Sequence, residues 1–267
     1  MLNNFLKINI IVAFVACGFA EAQLFRTKDR MDNLEGFDQQ KFSYGFYLAA
    51  NNFDYKLVLD PKFGMSEDRK KNLVQTKAAY SFGAGLIGKF RLNDYFDLRI
   101  EPGLQFVERE IYFDTQSNSN YADGKSTQIP INQPFTPRTL TDADKLRTVK
   151  STYVDIPLLI EVHGDRWYNS RPYAAAGVNW MMNLQSNSNS EDDNQQGIFR
   201  TTASNFAWTA EVGIQLYFSR FKLTPGFRGT FMINNELVAD DPQTPPYWSS
   251  AISSAKSRAF MFVLKFE

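Results

Sequence analysis

The chain has 267 residues, 29 Lys and Arg against 29 Asp and Glu, and an isoelectric point near 6.6. That balance argues against a nucleic-acid binder, and no segment after the first residues approaches the ~18 uninterrupted apolar residues of a membrane helix. Twenty-four Phe and twelve Tyr in a chain of negative mean hydropathy instead point to apolar residues that alternate with polar ones, as strands with one face in lipid require.

Lys7 gives a short positive start, 8–19 is an apolar run too short to span a bilayer, and Ala20-Glu21-Ala22 is an A-x-A cleavage site. Residues 1–22 are therefore predicted to be a signal peptide. Cys17, the sole cysteine, lies inside that run, so cleavage would leave no thiol, disulfide or thiolate metal site. A competing reading keeps Cys17 as a lipidated N-terminus; against it, Phe14 stands where a Leu-like aliphatic is expected. Residues 23–40 carry mixed charge and few β-formers and read as a periplasmic N-terminal lead-in.

Eight strands are predicted over 41–52, 77–91, 96–113, 151–162, 172–184, 205–218, 222–233 and 257–267. Each has at least the ~9–11 residues with which a tilted strand crosses a membrane. Alternation identifies them: Phe260, Phe262, Leu264 and Phe266 share one face of the last strand, and Phe206, Trp208, Ala210, Val212, Ile214, Leu216 and Phe218 one face of the sixth. The connections 54–76, 114–150, 185–204 and 234–256 are long and polar, whereas 92–95, 163–171 and 219–221 are short. Strict alternation of long and short fits hairpins with short periplasmic turns and long extracellular loops. Residues 41–267 are thus expected to form an all-β, eight-stranded antiparallel up-and-down transmembrane barrel in the outer membrane, with both termini periplasmic. Phe266, one residue from the end, resembles the C-terminal signal by which such barrels are recognised for insertion. Two polar low-complexity stretches, 115–120 and 187–197, read as solvated loop tips.

With the apolar faces in lipid, Lys89, Arg99, Glu101, Gln105, Asp155, Glu161, Glu211, Gln215, Arg228 and Lys265 face the lumen. Eight strands leave a lumen that side chains can fill, and buried charges persist when paired. Arg99 and Arg228 are therefore expected each to bridge one or more of Glu101, Asp155, Glu161 and Glu211, forming a structural network that blocks a pore. Gly83, Gly85, Gly103, Gly177, Gly213 and Gly226 would make room for long charged side chains. Tyr95, Phe96, Trp167, Tyr168 and Phe218 are assigned to a periplasmic aromatic girdle and Trp208 to the outer one.

The sole histidine, His163, is expected at a periplasmic turn, so no Asp-His or Ser-His pair can form at the external mouth. No phosphate-cradling glycine loop and no Cys/His metal spacing is present. Asp192-Asp193 and Asp240-Asp241 could bind Ca²⁺, but no spaced ligand loop accompanies them. The expectation is a protein that is not an enzyme and has no catalytic residues, cofactor or metal.

Several strings resemble the PorT (SprT) family of outer-membrane proteins. They are Asn33-Leu34 with Phe37-Asp38 ahead of Tyr44-Gly45-Phe46, YFDLRIEPGLQFVERE at 95–110, TYVDIPLLIEV at 152–162 and RPYAAAGVNW at 171–180. The resemblance spans most of the mature chain and implies a non-enzymatic component of type IX protein secretion and gliding motility. It implies as partners outer-membrane lipid, the barrel insertion machinery and other secretion proteins. For Asp155, Pro157 and Glu161 it implies a structural role only, and Pro157, lacking a ladder N–H, is expected to mark a bulge or bend. The other open reading is a stand-alone barrel that anchors the envelope or binds ligands or surfaces through its loops.

Overall fold

The computed structural model describes residues 33–61, 64–65, 70–114, 145–188, 199–238 and 248–267. The predicted signal peptide with Cys17, residues 23–32 of the lead-in, both loop-tip stretches except 187–188, and the paired aspartates at 192–193 and 240–241 lie outside them. Nine antiparallel strands follow in order: β1 (Phe42–Leu59), β2 (Val74–Arg91), β3 (Phe96–Ile100), β4 (Gly103–Phe113), β5 (Leu146–His163), β6 (Ser170–Asn183), β7 (Ser204–Tyr217), β8 (Lys222–Met232) and β9 (Ile252–Phe266). Strands adjacent in sequence pair, except that β3 and β4 each pair with β2 and β5 instead of with one another, and β1 pairs with both β2 and β9, which closes the sheet into a ring without edges.

The expected third strand, 96–113, is two strands, and the reason is local. β3 and β4 both lie between β2 and β5 in one continuous register: Lys89 is opposite Arg99 and Gly85 opposite Gly103, while Phe96 is opposite Val162 and Gly103 opposite Asp155. Glu101-Pro102 drops out of the ladder between β3 and β4, and β2 slips register against β4 once more, between Ala78 and Gly83. Leu86 N–H donates to the Pro102 carbonyl at 2.9 Å and Glu101 N–H to the Pro157 carbonyl at 3.2 Å, but neither proline can donate in return. Two prolines at one level thus remove two ladder bonds, and the ring keeps eight staves. Pro157 itself causes no bulge, contrary to expectation: β5 pairs with β6 in unbroken register from Tyr153 to His163. The irregularity falls in the facing strand instead.

The outward faces carry the large apolar residues. Phe42, Tyr44, Phe46 and Leu48 on β1, and Tyr80, Phe82 and Leu86 on β2, are exposed, Tyr80 by 88%. The alternate residues point inward, with Ser43, Tyr47 and Gly83 buried. At the end bearing the long connections, β1, β2, β5 and β9 run several residues past their predicted limits, and there the pattern inverts. Asp54 and Lys56 face outward from β1, whereas Phe53 and Tyr55 are buried inside. Apolar-in with charge-out is how a sheet behaves in water rather than lipid.

Candidate functional site

The inward faces meet in layers that fill the lumen. At the end carrying the C-terminus, the short turn Phe37–Gln39 lies across the opening. Asp38 accepts a hydrogen bond from the Tyr217 hydroxyl at 2.7 Å and stands 3.8 Å from both Arg166 and Arg171. Arg91 donates to the Gln39 carbonyl at 3.3 Å, and the Lys222 ammonium sits 4.9 Å from the centre of the Phe37 ring. The turn is held by residues at or beside all three short connections. Residues 34–40 thus belong to the barrel unit rather than to a detached lead-in.

Beneath this cap, Lys89 lies 3.2 Å from Asp97, 3.8 Å from Glu161 and 3.7 Å from Glu267, and Lys222 lies 2.7 Å from Glu267. Burial works against charge on Glu267, beyond the end of β9, but Lys222 and Lys89 together hold its carboxyl well below the usual carboxylate range. His163 is the last residue of β5, buried, with Nε2 3.1 Å from Asp97 Oδ2. Asp97, Glu161 and His163 bring ligand-type atoms within 4.8 Å of one another. Lys89 and Arg99, however, already occupy these carboxylates, so the donor set is compensated without a metal ion.

The next layer joins the central charges. Arg99 ion-pairs with Glu161, stands 2.7 Å from Glu211, and approaches Glu101 at 2.6 Å without hydrogen-bond alignment. Arg228 Nε donates to Glu211 at 2.7 Å, and its Nη2 pairs with Glu101. Lys265 lies 3.1 Å from Glu101 and pairs with Glu211. Tyr173 adds a hydroxyl donor to Glu211 at 2.8 Å, and Gln215 an amide donor to Glu161 at 2.7 Å. Across the two layers, Lys89, Arg99, Lys222, Arg228 and Lys265 face Asp97, Glu101, Glu161, Glu211 and Glu267. The charges balance, so these two layers give no ion-selective field.

Asp155 does not join this network. It accepts from the Asn179 amide at 2.9 Å, and the neighbouring Asn51, Gln105 and Tyr47, hydrogen-bonded to one another, are uncharged polar groups. The inward glycines also serve other groups than expected. A Cβ on Gly85 would stand 2.5 Å from Tyr47 Cε1, and one on Gly226 2.5 Å from the Tyr173 hydroxyl oxygen. These glycines recess the wall for tyrosine rings rather than for charged chains. Further along, Arg109 lies 3.9 Å from the centre of the Tyr55 ring and donates to the Tyr153 hydroxyl at 3.0 Å, which in turn donates to Glu236 at 3.0 Å. Above it Val74, Ile111, Phe113, Val149, Trp248 and Ile252 form an apolar roof. Strand parity places Arg109 and Asp97 inside; the sequence reading did not count them.

On the outside, Tyr95, Phe96, Trp167, Tyr168 and Phe218 ring the short-turn end, all at least 40% exposed, and Trp208 is exposed near the other end. Phe266 is outward on β9, its ring 5.0 Å from that of Phe46 and 6.3 Å from that of Phe221.

A family model described as outer membrane protein beta-barrel domain matches residues 22–238. Among solved structures, the outer membrane protein OprG from Pseudomonas aeruginosa is similar at 11% identity, covering 83% of this chain and 93% of that one, with a TM-score of 0.39. Neisserial surface protein A is similar at 9% identity, with coverages of 85% and 98% and a TM-score of 0.39. The outer membrane protein AlkL in DMPC lipid bilayers is similar at 12% identity, with coverages of 92% and 93% and a TM-score of 0.34. These likenesses are distant and bring no activity or partner to this chain. No curated protein matches it.

Proposed function

This chain belongs to the outer membrane protein beta-barrel domain family, and from that premise we propose that it is a non-conducting, non-enzymatic accessory of type IX protein secretion and gliding motility. The filled lumen carries the first half of this reading. Between the cap and the roof lie a balanced ion-pair layer and a polar layer, so neither solute nor polypeptide has a path through the barrel. What is left to act is the surface: the wall, the long connections, the short turns and the cap. A barrel restricted to these works by contact with other proteins of an export machine.

The second half is supported by the resemblance to PorT (SprT) proteins. One of its strings, Phe37-Asp38, is the segment that seals the short-turn end. On this reading the termini and short turns face the periplasm, the long connections face outward, and Phe266 is presented to the insertion machinery. Deletion of the gene followed by proteomics of the medium tests the role: type IX cargo should fall in the medium and accumulate in the cell. Unchanged export sinks the secretion role and leaves the stand-alone barrel. Mobility that differs between boiled and unboiled samples on a gel is expected of the folded barrel.

A further inference from the structure

The lipid-facing wall changes chemistry at one level of β1 and β9. β9 presents Phe266, Leu264, Phe262 and Phe260 outward, and its next two outward residues are Arg258 and Lys256. Directly opposite these on β1 stand Asp54 and Lys56. Phe266 and Lys256 are about ten residues apart. At ~3.3 Å per residue and a tilt of about 40°, that is ~25 Å along the barrel axis, the height of the apolar band of an outer-membrane barrel. The basic residues therefore stand where hydrocarbon gives way to headgroups.

Charge in this patch does not balance. Asp54 holds Arg258 at 2.8 Å, which leaves Lys56 and Lys256 as directly opposed partners across the β1–β9 ladder. Like charges in that relation lie on Cβ atoms about 5 Å apart and destabilise a sheet. Among the described residues no carboxylate pairs with either lysine. Lys256 Nζ donates to the Ile233 carbonyl at 2.8 Å, at the end of β8. That anchors it beside a continuous aromatic surface: Phe231 of β8 stacks on Trp208 at 4.5 Å and meets Phe260 edge-on at 5.8 Å.

We propose that Lys56 and Lys256, with Arg258 beside them, bind the phosphate of a membrane lipid headgroup, with its acyl chains on Phe260, Phe231 and Trp208. A phosphate over β9 that draws in both ammonium groups offsets their charge, and the aromatic surface below selects a lipid over a free anion. With the long connections outside, as proposed above, the ligand is a phosphorylated glycolipid of the outer leaflet. The site rests on that orientation and not on the secretion role.

The full-length mature barrel, refolded in zwitterionic micelles and mixed with diphosphorylated lipid A, is examined by native mass spectrometry. One lipid A should be retained per barrel. Lys56→Ser with Lys256→Ser should bind about twenty-five-fold more weakly, since each lysine near an anionic headgroup contributes roughly fivefold. Lys77→Ser, which removes a cation already 3.4 Å from Glu110, should leave retention unchanged. Equal retention by the double variant, equal retention of lipid A stripped of its phosphates, or complete displacement by inorganic phosphate each overturns the proposal. Heat-modifiable mobility of every variant separates these outcomes from a failure to fold, and Lys56→Gln alone gives a milder variant with the same expected direction.

Discussion

Glu211 is the residue on which the central network turns: Arg99, Arg228, Lys265 and Tyr173 all reach its carboxylate. Glu211→Gln would leave three buried cations with too little opposing charge, and breaking a buried network from one side costs about 3–5 kcal/mol. A matching fall in unfolding free energy is expected in urea titrations in lipid vesicles. Adding Lys265→Met should recover part of it by removing one uncompensated cation; no recovery would show that the loss comes from something other than charge. A second residue-level test concerns the wall. Gly226→Val should destabilise through its collision with Tyr173, whose hydroxyl is the nearest group at 2.5 Å, and Tyr173→Ser should relieve part of the defect by clearing the recess. Much of this network was legible in the sequence, because strict alternation fixes which side of a strand faces the lumen. Arg99, Glu101, Glu161, Glu211, Arg228 and Lys265 followed from parity alone. Lys222 and His163 escaped it because they sit at strand ends, where a turn and an inward position look alike. Tyr47 and Tyr173 escaped because an aromatic residue in a barrel strand suggests lipid, and only the glycines across from them show that a ring can be received inside.

At the scale of elements, the seam between β3/β4 and its neighbours is held by fewer ladder bonds at the level of Pro102 and Pro157. Pro102 is outward and only half-buried, so Pro102→Thr can restore an N–H to the Leu86 carbonyl without disturbing the lumen. A gain of about 1 kcal/mol is expected for the new hydrogen bond, with slow hydrogen exchange at the new amide; exchange at a loop-like rate would mean that the ladder stays broken for another reason. The strand limits show where pattern reading stops. Apolar-out alternation ends at Asn52 on β1, yet the strand continues to Leu59 with the opposite phase, because beyond the hydrocarbon the same sheet must turn its polar residues to water. A search for one phase finds the lipid-embedded part and misses the extension. The cap was harder still: nothing in the composition of residues 34–40 separates a docked turn from a free lead-in. Its role is testable through Lys222, whose ammonium is fully buried beneath it. Phe37→Ala with Asp38→Ala should make Lys222 reactive to a water-soluble amine reagent, read by mass spectrometry, whereas unchanged labelling would remove the cap from the sealing of that end.

For the whole molecule, the consequence of stacking these layers is that no one of them decides permeability. The ion-pair layer around Glu211 and the assembly of Arg109, Tyr55, Tyr153 and the apolar roof lie in series. Current through the barrel requires both to open. In planar bilayers the wild-type barrel is expected to pass no steady current, and so is either single-layer variant, Arg109→Ala or Arg228→Ala, even where stability falls. Loss of a buried arginine leaves tyrosine rings and carboxylates that collapse inward or take up water locally, which does not connect the two ends. Only a combined variant that empties both layers should conduct. A steady open current from the wild-type protein would falsify the sealed lumen and with it the inference that this barrel acts by surface contact; a current from one single-layer variant would locate the whole barrier in that layer. The two outcomes are distinct because barriers in series fail only together, whereas a barrier with one component fails at the first substitution.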